Sequence, residues 1–137
     1  MKKIDFNKML SLILVIIWMI FIFVMSSFDS VDSGEQSNFI VNIFSGLFGI
    51  KNTTLLSFII RKMAHFTEYF ILGILMKNVM DNYGKRTCFV FVICFIYAIS
   101  DEMHQVFVPG RCFKILDIFI DSLGSLMGIF ILKKIKK

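Results

Sequence analysis

Residues 9–28 read MLSLILVIIWMIFIFVMSSF, twenty positions without a charged side chain. At a rise of about 1.5 Å per residue, a helix of this length spans about 30 Å, the thickness of the hydrocarbon core of a bilayer. Lys2, Lys3 and Lys8 precede it in the manner of a signal-peptide n-region. The apolar run is too long for an ordinary h-region, however, and Met25-Ser26-Ser27 does not form a small-x-small cleavage site. The segment reads as an uncleaved membrane anchor. The rest of the chain agrees: 57% of its residues are hydrophobic, 17 of them Phe, and its mean hydropathy is +0.78. A single domain of 137 residues cannot hide that much apolar surface within itself, whereas a bilayer can absorb it.

Three more stretches continue the pattern, about Thr54 to Lys77, Cys88 to Val108 and Phe113 to Leu132. Asp81-Asn82-Tyr83-Gly84 and Pro109-Gly110 mark tight turns between them, which makes these spans consecutive antiparallel neighbours. The expectation is an all-α membrane protein, one transmembrane domain over 1–137 built as a four-helix bundle. Between the first two spans, a polar stretch from Asp29 to Asn38 leads into Phe39, Ile40, Ile43, Phe44, Leu47 and Phe48, one apolar face at helical spacing. This segment is expected as an external amphipathic helix, either lying in the membrane interface or packed on the bundle as a lid.

The formal net charge is +5, but the basic residues sit at the chain ends and in one loop, with no stripe interleaved with stacking aromatics. That placement sets membrane topology and argues against nucleic-acid binding. With a cytoplasmic N-terminus, Lys2, Lys3, Lys8, Lys77, Lys85, Arg86, Lys133, Lys134, Lys136 and Lys137 all face inward, ten of the fifteen Lys and Arg. The positive-inside rule therefore puts both termini in the cytoplasm of a multi-pass cell-membrane protein. Cys88, Cys94 and Cys112 share no metal-ligand spacing and read as small apolar residues, with no disulfide.

With that topology the polar groups inside the spans fall at one end. Arg61, His65 and Glu68 lie roughly 10, 16 and 21 Å below the outer end of their helix. Asp101, Glu102, His104 and Gln105 occupy the last outer turns of the third span, and Asp117 and Asp121 the outer half of the fourth. Arg61, His65, Glu68 and Leu72 form one stripe, while Asp117, Asp121, Gly124 and Gly128 form another that ends in a G-x-x-x-G contact surface. A charged residue at the bilayer centre costs about 2.5–3.5 kcal/mol on insertion scales, so these side chains must meet inside the bundle or line water. They could be interhelical glue, with Arg61 or Lys62 paired to Glu68 or Asp101 and Arg111 to Asp117. Intramembrane charge clusters more often mark a functional site.

In two segments the chain resembles a known family. Arg61 to Phe70 reads R-K-x-x-H-F-x-E-Y-F, and Asp101 to Arg111 reads D-E-x-H-Q-x-F-V-P-G-R. With Trp18, Ser26-Ser27, Asp117 and the D-x-x-x-G-x-x-x-G of Asp121 to Gly128, the pattern is similar to that of the VanZ family, small membrane proteins named for one that confers low-level teicoplanin resistance. In that family Asn often stands where this chain has Asp121, so the site here holds one more acid. The resemblance implies a role in glycopeptide or lipoglycopeptide susceptibility at the cell envelope, among membrane lipids.

Three chemistries fit the residues. Arg61, Lys62, Gln105, Arg111, Asp117 and Asp121 could bind a lipid-linked cell-wall component or the antibiotic, Arg being suited to bidentate capture of phosphate or carboxylate. His65, Glu68, Asp101, Glu102 and His104 could instead serve an intramembrane hydrolase or transferase acting on an outer-leaflet headgroup. In that reading His65 or His104 is the general base, or His65, Glu68, Asp101 and His104 hold a divalent metal from two His/carboxylate pairs at i, i+3. The sequence requires no cofactor. A proton relay in a transport component is the third reading. Trp18 and Tyr69 are expected as packing or interfacial aromatics, and Ser26 and Ser27 as helix-end hydrogen bonders.

Overall fold

No glycine or proline interrupts residues 6–26, and the run forms a continuous helix, α1 (Phe6–Ser26). It stops where Ser27 turns its hydroxyl back to the Phe23 carbonyl at 2.6 Å, the helix-end bond expected of it. The computed structural model describes residues 6–28, 30–48 and 53–136, with side chains at all of these except 30–37 and 48. Lys2, Lys3, Lys51, Lys137 and the Phe48 side chain lie outside the described residues. Within them the chain forms five helices and no strand: α1, α2 (Ser30–Phe48), α3 (Thr53–Asn82), α4 (Thr87–Gln105) and α5 (Ile115–Ile135). Helices α1, α4 and α5 are each long and apolar enough to cross a membrane.

The contacts between helices set their directions. Lys62 meets Asp117, His65 meets Asp121 and Asn78 meets Lys136, so α3 and α5 run parallel. Asn82 bonds Ser11 and the Glu68 carbonyl bonds Trp18, so α1 runs against α3. The Tyr97 hydroxyl bonds the Met19 carbonyl at 2.7 Å and Ser27 meets His104, so α4 runs with α1. The result is an alternating up-and-down arrangement with α3 at its hub. α3 touches each of the other four helices and packs most extensively on α5.

Glycine permits that α3–α5 approach. A Cβ at Gly124 or Gly128 would run into the backbone carbonyl of Phe66 or Phe70, and one at Gly73 into that of Ser125. The G-x-x-x-G surface read from the sequence is thus a backbone-to-backbone contact. Val15, Ile22, Tyr69, Leu72, Met76, Val90, Cys94 and Ile129 fill the core around it. Many larger apolar side chains point outward instead, among them Ile17, Ile20, Ile96, Phe119 and Phe130. An exterior of this kind would drive association in water and suits a lipid surround.

Several helix ends depart from the expected boundaries. α3 runs past Lys77 to Asn82, so Asp81 and Asn82 form its last turn. Gly84, at φ +64°, then closes a Schellman cap in which Lys85 N–H reaches the Met80 carbonyl at 2.8 Å and Gly84 N–H that of Asp81 at 3.0 Å. α4 stops at Gln105, before Val108, because Pro109 disfavours helical backbone at the residue before it. α5 starts at Ile115, since Lys114 is held extended with its N–H donated to Glu102. α2 begins at Ser30 and takes in most of the polar stretch expected to precede it, since each residue added to a formed helix gains a hydrogen bond. Among the described residues α2 packs only on α3, burying Val41 while Phe39, Ile40, Ile43, Phe44 and Leu47 stay exposed.

Candidate functional site

The end of the bundle where α1 and α4 finish and α3 and α5 begin gathers the polar side chains. Trp18 Nε1–H donates to the Glu68 carbonyl at 2.9 Å, fixing the rotation of α3 against α1. That rotation turns Lys62, His65 and Tyr69 toward α4 and α5. The Lys62 ammonium donates to the Asp117 carboxylate, in the first turn of α5, where the helix N-terminus also favours a negative charge. His65 Nδ1 stands 3.6 Å from Asp121 Oδ1. One ligand atom from each of His65, Asp101 and Asp121 lies within 4.8 Å of the other two.

A relay of neutral and charged groups leads outward from Asp101. Gln105 Nε2 donates to Asp101 Oδ2 at 3.5 Å, and Arg111 Nη1 donates to Gln105 Oε1 at 3.3 Å. Arg111, Gln105, Lys62, Asp117, His65 and Glu68 share the wall of a cavity of about 270 Å³, together with Arg61, Lys114, Ser26 and Ile40 of α2. Arg61 is exposed at its rim. The space is close to the lower end of small-molecule sites, about 300–1,000 Å³, and suits a headgroup-sized fragment.

The residues singled out by sequence divide into those the fold brings together and those it does not. Arg61, Lys62, His65, Glu68, Gln105, Arg111 and Asp117 converge on the cavity; Asp101 and Asp121 lie buried behind His65. Of the candidate metal ligands His65, Glu68, Asp101 and His104, His65 and Asp101 lie together with Asp121. His104 faces α1, where its ring lies 4.3 Å from that of Phe23 and its Nε2 sits 3.1 Å from the Ser27 hydroxyl. Three residues turn a helix by about 300°, so Asp101 and His104 diverge by about 60°. Asp121 of α5 fills that place in the cluster. Glu102 is fully buried, and its Oε2 accepts the Lys114 N–H at 2.7 Å, satisfying one of the orphan donors where α5 begins. Its contact is that of a helix cap. Of the expected pairings of Arg61 or Lys62 with Glu68 or Asp101, Lys62 instead meets Asp117, and Arg111 donates to Gln105.

Two contributions escaped sequence reasoning. The Tyr69 hydroxyl is fully buried without a hydrogen-bond partner, among the charges of Asp101, Asp121 and Glu68. Its spacing of four from His65 was a usable signal. The Ser27–His104 contact joins residues 77 apart in sequence and left no such signal.

These residues belong to one recognised sequence pattern. The VanZ/LLP1 family model matches residues 11–136. The chain belongs to the VanZ family. No curated protein and no solved structure matches it. Membership and the three apolar helices together make this VanZ protein a membrane protein. The VanZ match spans both the cavity end of the bundle and the opposite end. There Lys77 pairs with Asp81, and Lys136 bonds the Asn78 amide oxygen at 2.8 Å while lying 3.6 Å from Asp81.

Proposed function

We propose that the chain crosses the cell membrane four times with both termini in the cytoplasm, and that its outward-facing cavity binds the anionic group of an outer-leaflet amphiphile. The occupant is a lipid-linked cell-wall component or the glycopeptide antibiotic itself, and binding lowers susceptibility to glycopeptides of the teicoplanin type. The observation that carries this reading is the cavity wall. Arg61, Lys62, Arg111 and Lys114 place four cationic side chains around a space of about 270 Å³, and guanidinium groups suit forked recognition of phosphate and carboxylate.

The fourth crossing is α3. Its thirty residues extend about 45 Å, longer than the hydrocarbon core of about 30 Å, so its ends emerge from it. Its ionic side chains Lys62, His65 and Glu68 face protein or the cavity, where the cost of charge in lipid is avoided. Lys77, Lys85, Arg86, Lys133, Lys134 and Lys136 lie at the opposite end, which the positive-inside rule places in the cytoplasm. α2 lies along the outer surface, its exposed Phe39, Ile43, Phe44 and Leu47 set into the membrane interface while Ile40 borders the cavity.

The test is susceptibility to teicoplanin in cells expressing Arg111→Ala or Arg61→Lys, with the amount of membrane-inserted protein measured alongside. Protection is expected to fall to that of cells lacking the protein while insertion is unchanged. If both variants protect as well as the parent, the reading is wrong. A second reading, an intramembrane hydrolase or transferase acting on the same headgroup, is favoured by the carboxylates of Asp101 and Asp121 directly behind His65. It predicts a changed population of outer-leaflet headgroups when the parent, but not His65→Gln, is expressed.

A further inference from the structure

Behind His65 the bundle holds polar atoms without a hydrogen-bond partner, His65 and Asp121 meeting only as an ion pair at 3.6 Å. Both Oδ atoms of Asp121, Oδ1 of Asp101, Nδ1 of His65 and the Tyr69 hydroxyl are buried and make no hydrogen bond. Asp121 and Tyr69 are each 0% exposed. Two carboxylates close together in a buried interior repel strongly when both are ionised, and each loses the hydration it would have in water. The nearby cations do not answer this. Lys62 is engaged by Asp117, and Gln105 stands between Arg111 and Asp101 in a chain of hydrogen bonds.

We propose that His65, Asp101 and Asp121 hold a divalent cation, Mn²⁺ or Zn²⁺, buried just behind the stretch of cavity wall that His65 lines. Two carboxylates balance a charge of +2, and the imidazole Nδ1 adds a neutral donor. A mixed nitrogen and oxygen set suits ions between the hard and the soft extremes. Metal–ligand distances of about 2.0–2.2 Å bring ligand atoms to about 3–4 Å from one another. The His65–Asp121 separation of 3.6 Å already meets this, and the cluster's 4.8 Å limit asks for a closure of about an ångström at most. Three protein ligands leave coordination positions open. The buried Tyr69 hydroxyl, without a hydrogen-bond partner of its own, would be free to bond a water filling one of them. The ligands come from α3, α4 and α5, so the ion also ties three helices together. The inference rests on the proposed function only for the role of the ion, which would face an anionic headgroup through an open position.

The experiment uses the full chain purified in detergent, stripped of metal with a chelator and titrated with Mn²⁺ by electron paramagnetic resonance, with Zn²⁺ as competitor. One Mn²⁺ per chain is expected, displaced by Zn²⁺ and showing coupling to an imidazole nitrogen. Asp101→Asn and Asp121→Asn are expected to weaken binding by more than about 100-fold, beyond the loss typical of residues that only support a ligand. Asp81→Asn, at the far end of the bundle, leaves it unchanged. A helical wild-type chain that takes up no ion overturns the inference, as does an ion without nitrogen coupling or one held equally by the aspartate variants. If those variants fail to fold, the nitrogen coupling in the parent decides. Absence of the ion alongside loss of protection in Arg111→Ala would remove the ion and leave the anion pocket. A bound ion with fully protective Arg variants would do the reverse.

Discussion

At the scale of single residues, what matters is which buried charge each side chain meets. Lys62 and Asp117, on different helices, lie 55 residues apart in sequence, and Asp117 is almost fully buried. Lys62→Ala leaves that carboxylate without its ammonium, a loss of about 2 kcal/mol for a hydrogen bond to a charged group. Removing both partners with Asp117→Ala is expected to restore part of the stability. Denaturant titration of the two single variants and the double variant in detergent checks this, and a purely additive double would disprove the coupling. The Arg61-His65-Glu68 stripe was legible because helical spacing alone puts those residues on one face. Which acid each base would meet was not legible. Pairing depends on how far α3, α4 and α5 are rotated about their own axes, and Trp18 and the glycine contacts set that rotation.

At the scale of helices, α3 and α5 depend on the absence of side chains at a few positions. In Gly128→Ala the new methyl group meets the Phe70 carbonyl, a backbone atom that cannot swing aside. The helices must separate, at a cost of about 1–3 kcal/mol for overpacking. Gly46→Ala, in α2 with open space around it, is expected to stabilise the chain by up to about 1 kcal/mol through helix propensity alone. Thermal or denaturant unfolding of the two variants should shift in opposite directions, and equal shifts would show that α3 and α5 are not in backbone contact. Spacing announced this surface before any contact was known. The extent of α2 was not announced, because the polar residues after Ser30 have weak local preferences that helix continuation overrides.

At the scale of the molecule, orientation in the membrane can be read from native cysteines. Cys112 lies exposed in the turn at the cavity end, Cys88 is exposed near the start of α4 at the opposite end, and Cys94 is buried. A membrane-impermeant maleimide applied to intact cells is expected to label Cys112, with Cys88 reacting only after the membrane is opened. The reverse pattern would turn the cavity toward the cytoplasm and end the proposed role at the outer leaflet. Sequence alone determined that the chain is all-helical and membrane-borne, and that the acids and histidines within its expected spans collect at one end. Uninterrupted apolar runs, helical spacing and the cost of charge in hydrocarbon are local or additive effects that need no coordinates. Only the tertiary structure decided that Asp121 rather than His104 joins His65 and Asp101, that Glu102 caps α5, and that Lys62 takes Asp117. Those outcomes turn on axial rotations of a few tens of degrees, set jointly by packing contacts from four helices.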